Sequence, residues 1–95
     1  MDFFVVCIDK PNHQSLRAAT RDAHLAYLHE HDSSVTGAGP ILSESQNSVV
    51  GSLLLIRADD MQAALEFLAA DPYVKAGLFE STQMKPWRWL VKPAP

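Results

Sequence analysis

Two segments of this chain are apolar on both faces, and no other feature limits the choice of fold so strongly. In an extended chain Phe3, Val5 and Cys7 point one way while Phe4, Val6 and Ile8 point the other, leaving no polar side. Val49 to Ile56 repeats the pattern, interrupted only by Gly51 and Ser52. Strands of this kind need covering above and below. A chain of 95 residues holds one domain, read here as spanning 1–95, because either half would be too short for a core. Such a chain buries only about 60–65% of its unfolded surface, so it has little material to cover a sheet twice.

The rest of the pattern says where the first cover comes from. Asp9-Lys10-Pro11-Asn12 ends the first strand as a turn cluster. From Ser15 to about His31 the period becomes helical, with Ser15 as N-cap and Leu16, Ala23 and Tyr27 as the apolar stripe, flanked by Thr20 and Leu28. Val35 to Leu42 reads as a short strand interrupted by Gly37 and Gly39, and Ser43 to Ser48 as a polar loop. Asp59 offers a cap with Gln62 at capping-box spacing, and Met61, Ala64, Leu65 and Leu68 follow at i, i+3, i+4 and i+7. This helix ends at Asp71-Pro72, and Leu78 to about Met84 alternates as a last strand. The order is βαββαβ, the split pattern of ferredoxin-like α+β domains. Right-handed crossovers then place both helices on one face of an antiparallel sheet. The other face stays bare although it is apolar, so the expected cover is a second copy of the chain, in a homodimer.

Composition removes several functions. Eight basic and 11 acidic residues give a net charge of -3, the wrong sign for a protein that tracks phosphates, so no nucleic-acid partner is expected. No apolar run approaches the ~20 residues of a membrane span, and Asp2 stands where a signal peptide would be basic. The lone cysteine, Cys7, cannot form an internal disulfide. A soluble cytoplasmic domain is expected, with no membrane partner.

The first helix carries the most informative polar residues. Arg17, Arg21 and His24 stand at i, i+4 and i+7 along the flank of the apolar stripe, with His24 nearest the buried face. This strip would receive an anionic ligand; it equally describes two snorkelling arginines and a satisfied histidine. Asp71 is the second element. A carboxylate at a helix C-terminus opposes the helix dipole, so its place there suggests a role, and a turn acid ahead of Pro72 is the plain alternative. A carboxylate beside an imidazole fixes its tautomer and favours its charged form, making a proton-transfer pair. Ser52 is a hydroxyl in the middle of an apolar strand and needs a partner, either a backbone group or a ligand approaching over Gly51.

Other groups carry less. His29 and His31 diverge by about 100° per residue on a regular helix and cannot share an ion, so no metal is expected. Cys7 has no neighbour in sequence to activate it. Trp87 and Trp89 project to one side of an extended segment, where a packing or dimer contact is expected.

Taken in order, Arg21-x-x-His24-Leu25, Gly39-Pro40, Gly51-Ser52, Asp71-Pro72-Tyr73-Val74-x-Ala76-Gly77 and Lys85-Pro86-Trp87 resemble the YciI-like (YCII-related) family over nearly the whole chain. The resemblance implies a dimeric α/β-barrel assembly of ferredoxin-like domains. It implies an active site centred on a histidine and an aspartate, which fall on His24 and Asp71, and it places Ser52 at a small hydroxyl position nearby. One related member is a dehydrochlorinase acting on a chlorinated hydroxyquinol, and the fold relates distantly to muconolactone isomerases. The short Ser43–Ser48 loop and the Trp87 and Trp89 ending depart from the family pattern.

The expected function is therefore a cofactor-free lyase or isomerase acting on a small phenolic or carboxylated compound. His24 would move the proton, Asp71 would orient it, and Arg21, Ser52 and Arg17 would bind the substrate. The alternative is a non-catalytic dimer that binds a small ligand or serves as a scaffold. An exposed Asp71, or a cleft shut by Tyr27 and Tyr73, would favour that alternative.

Overall fold

A computed structural model describes residues 1–94 of the chain. The elements run β1 (Asp2–Asp9), α1 (Gln14–Glu30), β2 (Val35–Leu42), β3 (Val49–Arg57), α2 (Met61–Ala69), α3 (Pro72–Lys75) and β4 (Phe79–Trp87). The four strands form one antiparallel sheet in the order β2-β3-β1-β4, so the two doubly apolar strands are its centre and β2 and β4 its edges. This is the ferredoxin-like α+β arrangement expected from the βαββαβ order.

Alternation decides the core. Phe3, Val5 and Cys7 are fully buried and join Leu54 and Ile56 of β3 with Ala64 and Leu68 of α2 in one cluster, packed also by Leu28 of α1. The opposite face carries Phe4, Val6 and Ile8 of β1. The register sets these beside Leu53 and Leu55 of β3 and Gln83 and Lys85 of β4. There Leu53 is 39% exposed, which is high for a leucine in a central strand. Gly51 continues this row where β3 runs close to β1, and a Cβ at that position would collide with the carbonyl oxygen of Cys7.

Four local expectations are corrected. Helix α1 begins at Gln14, with His13 as N-cap and no side-chain cap, so Ser15 lies inside the first turn. The cap of α2 is Asp60, whose Oδ1 accepts from the Ala63 amide at 2.8 Å; Asp59 stands one residue outside. Helix α2 stops at Ala69, and Asp71 begins the short helix α3 that the sequence pattern did not resolve. Strand β4 runs on past Met84 to Trp87. Helix α3 closes at Gly77, whose φ of 76° is the left-handed conformation that favours glycine after a helix end. No helix among the described residues is long and apolar enough to cross a membrane.

Candidate active site

The site is assembled from α1, α3 and the buried face of β1 and β3. His24, nearly three turns into α1, is the one buried residue of that helix and is 7% exposed. Its Nδ1 meets both carboxylate oxygens of Asp71, at 2.9 Å and 3.0 Å. Asp71 is fully buried, and its Oδ1 also accepts from the Tyr73 amide at 2.9 Å as the N-cap of α3. This reverses the electrostatic argument drawn from sequence. The carboxylate does not oppose the dipole of α2; it satisfies the free amide at the start of α3, with Pro72 at the first helical position where no amide is needed. Asp71 is therefore held on one side by backbone and on the other presents its oxygens to His24. With Nδ1–H donated to Asp71, Nε2 carries the lone pair, and it has no hydrogen-bond partner among the described residues.

Tyr73, the first free turn residue after Pro72, fixes the imidazole plane. Its ring stacks on His24 with centroids 4.0 Å apart and an interplanar angle of 19°. The Arg17 guanidinium covers the Tyr73 ring, 4.6 Å from its centroid. Arg17 is itself tied to Asp9 by a two-pronged pair, Nε to Oδ2 at 2.7 Å and Nη2 to Oδ1 at 2.8 Å, and Nη2 also donates to Ser52 Oγ at 2.9 Å. Burial works against the Arg17 charge, but the Asp9 carboxylate outweighs it and raises the arginine pKa further.

These groups border a cavity of about 250 Å³. Its polar wall is His24, Ser52, Tyr73, Arg17 and Arg21; its apolar wall is Leu25, Leu28, Val49 and Leu54, closed by Ala38–Pro40 of edge strand β2. All five residues singled out from sequence as site candidates thus line one pocket or bond directly to a residue that does. Two members were missed. Asp9 was read only as part of a turn, yet it continues the Phe3, Val5, Cys7 alternation onto the core face, where an acid needs a partner. Tyr73 was read as part of the Asp71-Pro72-Tyr73-Val74 stretch and as a residue able to shut the cleft, not as the ring stacked on His24. Tyr27 turns away, donating its hydroxyl to the Phe67 carbonyl at 2.8 Å. His31 bonds through Nδ1 to the Tyr27 carbonyl at 2.9 Å. Trp87 and Trp89 pack on each other at 4.7 Å.

Three acids in and beside this core favour their neutral forms. Burial, then Asp71, pushes the Cys7 thiol from its ordinary 9.0 up to about 12. Burial likewise raises the Tyr73 and Tyr27 phenols. A folded pKa above the unfolded one contributes stability that is complete below the unfolded value and lost as pH rises through the folded value. Stability is therefore expected to fall from about pH 9 toward about pH 12, as the unfolded thiol ionises ahead of the folded one and the two phenols add to the loss. Urea midpoints that stay level between about pH 8 and about pH 11 would contradict this.

A histidine–carboxylate pair at the floor of a cavity, between the helices and one face of a four-stranded antiparallel sheet, defines a class of small α+β domain. The chain belongs to the YCII-related family, whose domain matches residues 1–88. It is 31% identical over 96 residues to Protein YciI of Escherichia coli O6:H1, covering 93% of this chain and 97% of that protein. It is 30% identical over 95 residues to an uncharacterized protein of Haemophilus influenzae, with the same coverage. Among solved structures it is similar to 5-chloro-2-hydroxyhydroquinone dehydrochlorinase (TftG) from Burkholderia phenoliruptrix, in complex with 2,5-dihydroxybenzoquinone. That match has a TM-score of 0.84 and 30% identity, over 93% of this chain and 94% of that one. A protein of unknown function from Nitrosomonas europaea shares the fold at a TM-score of 0.59 and 22% identity, over 99% of this chain and 92% of that one.

Proposed function

We propose that this protein is a cofactor-free lyase or isomerase of the dehydrochlorinase kind, in which His24 Nε2 is the base and Asp71 holds its tautomer. The observation that carries this reading is the two-oxygen contact of buried Asp71 on Nδ1, which leaves Nε2 as the free basic atom of a ring that lines the cavity. In an elimination Nε2 takes a proton from the substrate. The released electron pair becomes the new π bond, and chloride leaves with the pair of the broken C–Cl bond; hydrogen chloride is lost and nothing is oxidised or reduced. The similarity to TftG supports a small hydroxylated ring as the ligand class. Asp71 is buried and the cleft is not shut by Tyr27 or Tyr73, which counts against the scaffold reading.

We further propose that the protein acts in the cytoplasm as a homodimer, each copy covering the other's bare sheet face. The buried lone thiol Cys7 supports a reducing compartment.

The test is chloride release from 5-chloro-2-hydroxyhydroquinone, beside deuterium exchange into hydroxylated quinones and lactones. Activity is expected with the native chain. His24→Gln is expected to lower it by about 10²–10⁴-fold, the usual contribution of a positioned general base, without loss of fold. Full activity in a folded His24→Gln protein would end the dyad reading.

A further inference from the structure

We infer that the C-terminal segment Trp89–Val91 docks on a second copy of the chain, its apolar side chains filling a dip over Gly37 and Gly39 on the helix-free face of that copy. This rests on the proposed homodimer and adds where the two copies touch.

Two surfaces of the chain are apolar and unmatched. Leu90 is 96% exposed and Val91 82%, the most exposed large apolar side chains of the described residues. They sit at a bend beyond the end of β4. The other surface is a dip of about 290 Å³ bordered by Gly37, Gly39, Ile41, Leu53 and Leu55. It exists because two glycines of β2 stand opposite Leu55 and Leu53 of β3 and contribute no side chains. A Cβ on Gly39 would meet nothing within 4 Å. The dip has the volume of about ten water molecules in the liquid, ample for Leu90 and Val91 together. Each apolar surface removes the other from water when they meet.

A single chain cannot join them. From Gly39 the register runs through Leu53 and Val6 to Gln83, three strand spacings or about 14 Å. Trp87 lies four residues further along β4, about 13 Å, which puts it about 19 Å from Gly39. Three extended residues, from Trp87 to Leu90, span at most about 10 Å. The dip is therefore out of reach of its own tail and open to the tail of a copy facing it. A two-fold axis along the strands sets β4 of one copy over β2 of the other, and the contact is then made twice. The tail's seat on its own chain is also incompletely bonded. Trp89 packs on Trp87 at 4.7 Å, and the buried Trp87 Nε1–H has no acceptor among the described residues. A buried donor left unpaired is unfavourable, so the tail leaves this seat at little loss.

The experiment introduces Gly39→Cys and Leu90→Cys together in the full chain and oxidises it mildly. A covalent dimer whose disulfide joins positions 39 and 90 is expected, because the two are too far apart to be bridged within one chain. Native Cys7 does not compete, since it is buried and burial holds its thiol protonated. Leu90→Ser with Val91→Ser is expected to raise the dimer dissociation constant by about tenfold or more, as two aliphatic side chains lose their cover. Gly39→Leu adds a side chain where nothing lies within 4 Å of its Cβ, and is expected to cause a similar rise by filling the dip. All three substitutions together should do no more than either set alone, because they break one contact. If the native chain sediments as a dimer but neither the 39–90 linkage nor a change in dissociation constant is seen, the inference is overturned and the homodimer stands. A native chain that sediments as a single copy overturns both. A 39–90 linkage in a dimer that survives Val6→Asp keeps the tail contact and overturns the mutual covering of the bare faces.

Discussion

Asp71→Asn is expected to leave the fold standing and cost about 10²–10⁴-fold in turnover. The amide keeps an oxygen for the Tyr73 amide at the start of α3, so the cap survives. Its NH₂ group then takes the place of the second carboxylate oxygen and donates to His24 Nδ1 instead of accepting from it. The imidazole proton moves to Nε2, and the atom facing the cavity becomes a donor with no basic lone pair. Asp71→Ala goes further, because it leaves the Tyr73 amide and the His24 Nδ1–H both buried without acceptors. A loss of about 3 kcal/mol in stability is expected from those two groups together. Turnover assays and urea unfolding of both variants separate the effects. An Asp71→Asn protein as active as the native chain would show that the carboxylate is only a cap.

The second large effect concerns the bare sheet face. Val6 sits in the middle of β1 opposite Leu53, on the side that carries no helix. If a second copy covers this face, Val6→Asp buries a carboxylate without a partner at the centre of the contact. The dimer is then expected to separate, with a loss of more than about 2 kcal/mol in apparent stability, since folding and association are linked. Sedimentation equilibrium of the native chain and the variant measures this directly. A native protein that sediments as a single chain at micromolar concentration would refute the dimer.

Elements with an unbroken pattern were legible from the residues alone. The two-faced apolar runs marked β1 and β3, and the Gly-interrupted run marked β2 within the bounds found. The pairing of His24 with Asp71 was anticipated, but for a reason that the fold reversed. Helix α3 has four residues, about one turn, and one turn shows no period. Without it, Asp71 looked like an acid misplaced at the end of α2. The choice between Asp59 and Asp60 as cap was equally hidden, because adjacent acids differ only in backbone angles that α2's packing sets. The Asp9–Arg17–Ser52 chain joins residues eight and 35 positions apart, and no local spacing announces it.

Strand β2 has a different consequence. The His24–Asp71 pair stands on α1 and at the cap of α3, whereas the cavity's outer wall is Ala38–Pro40, on a strand that pairs with β3 alone. Pro40 has no amide to give, so this edge is held by fewer ladder bonds than the centre of the sheet. Insertions and substitutions along an edge strand disturb the core least, and here they reshape the pocket without moving His24. The His24–Asp71 pair and the cavity's outer wall thus occupy separate parts of the chain. Descendants of such a domain can diverge in what they admit while inheriting the His24–Asp71 pair unchanged.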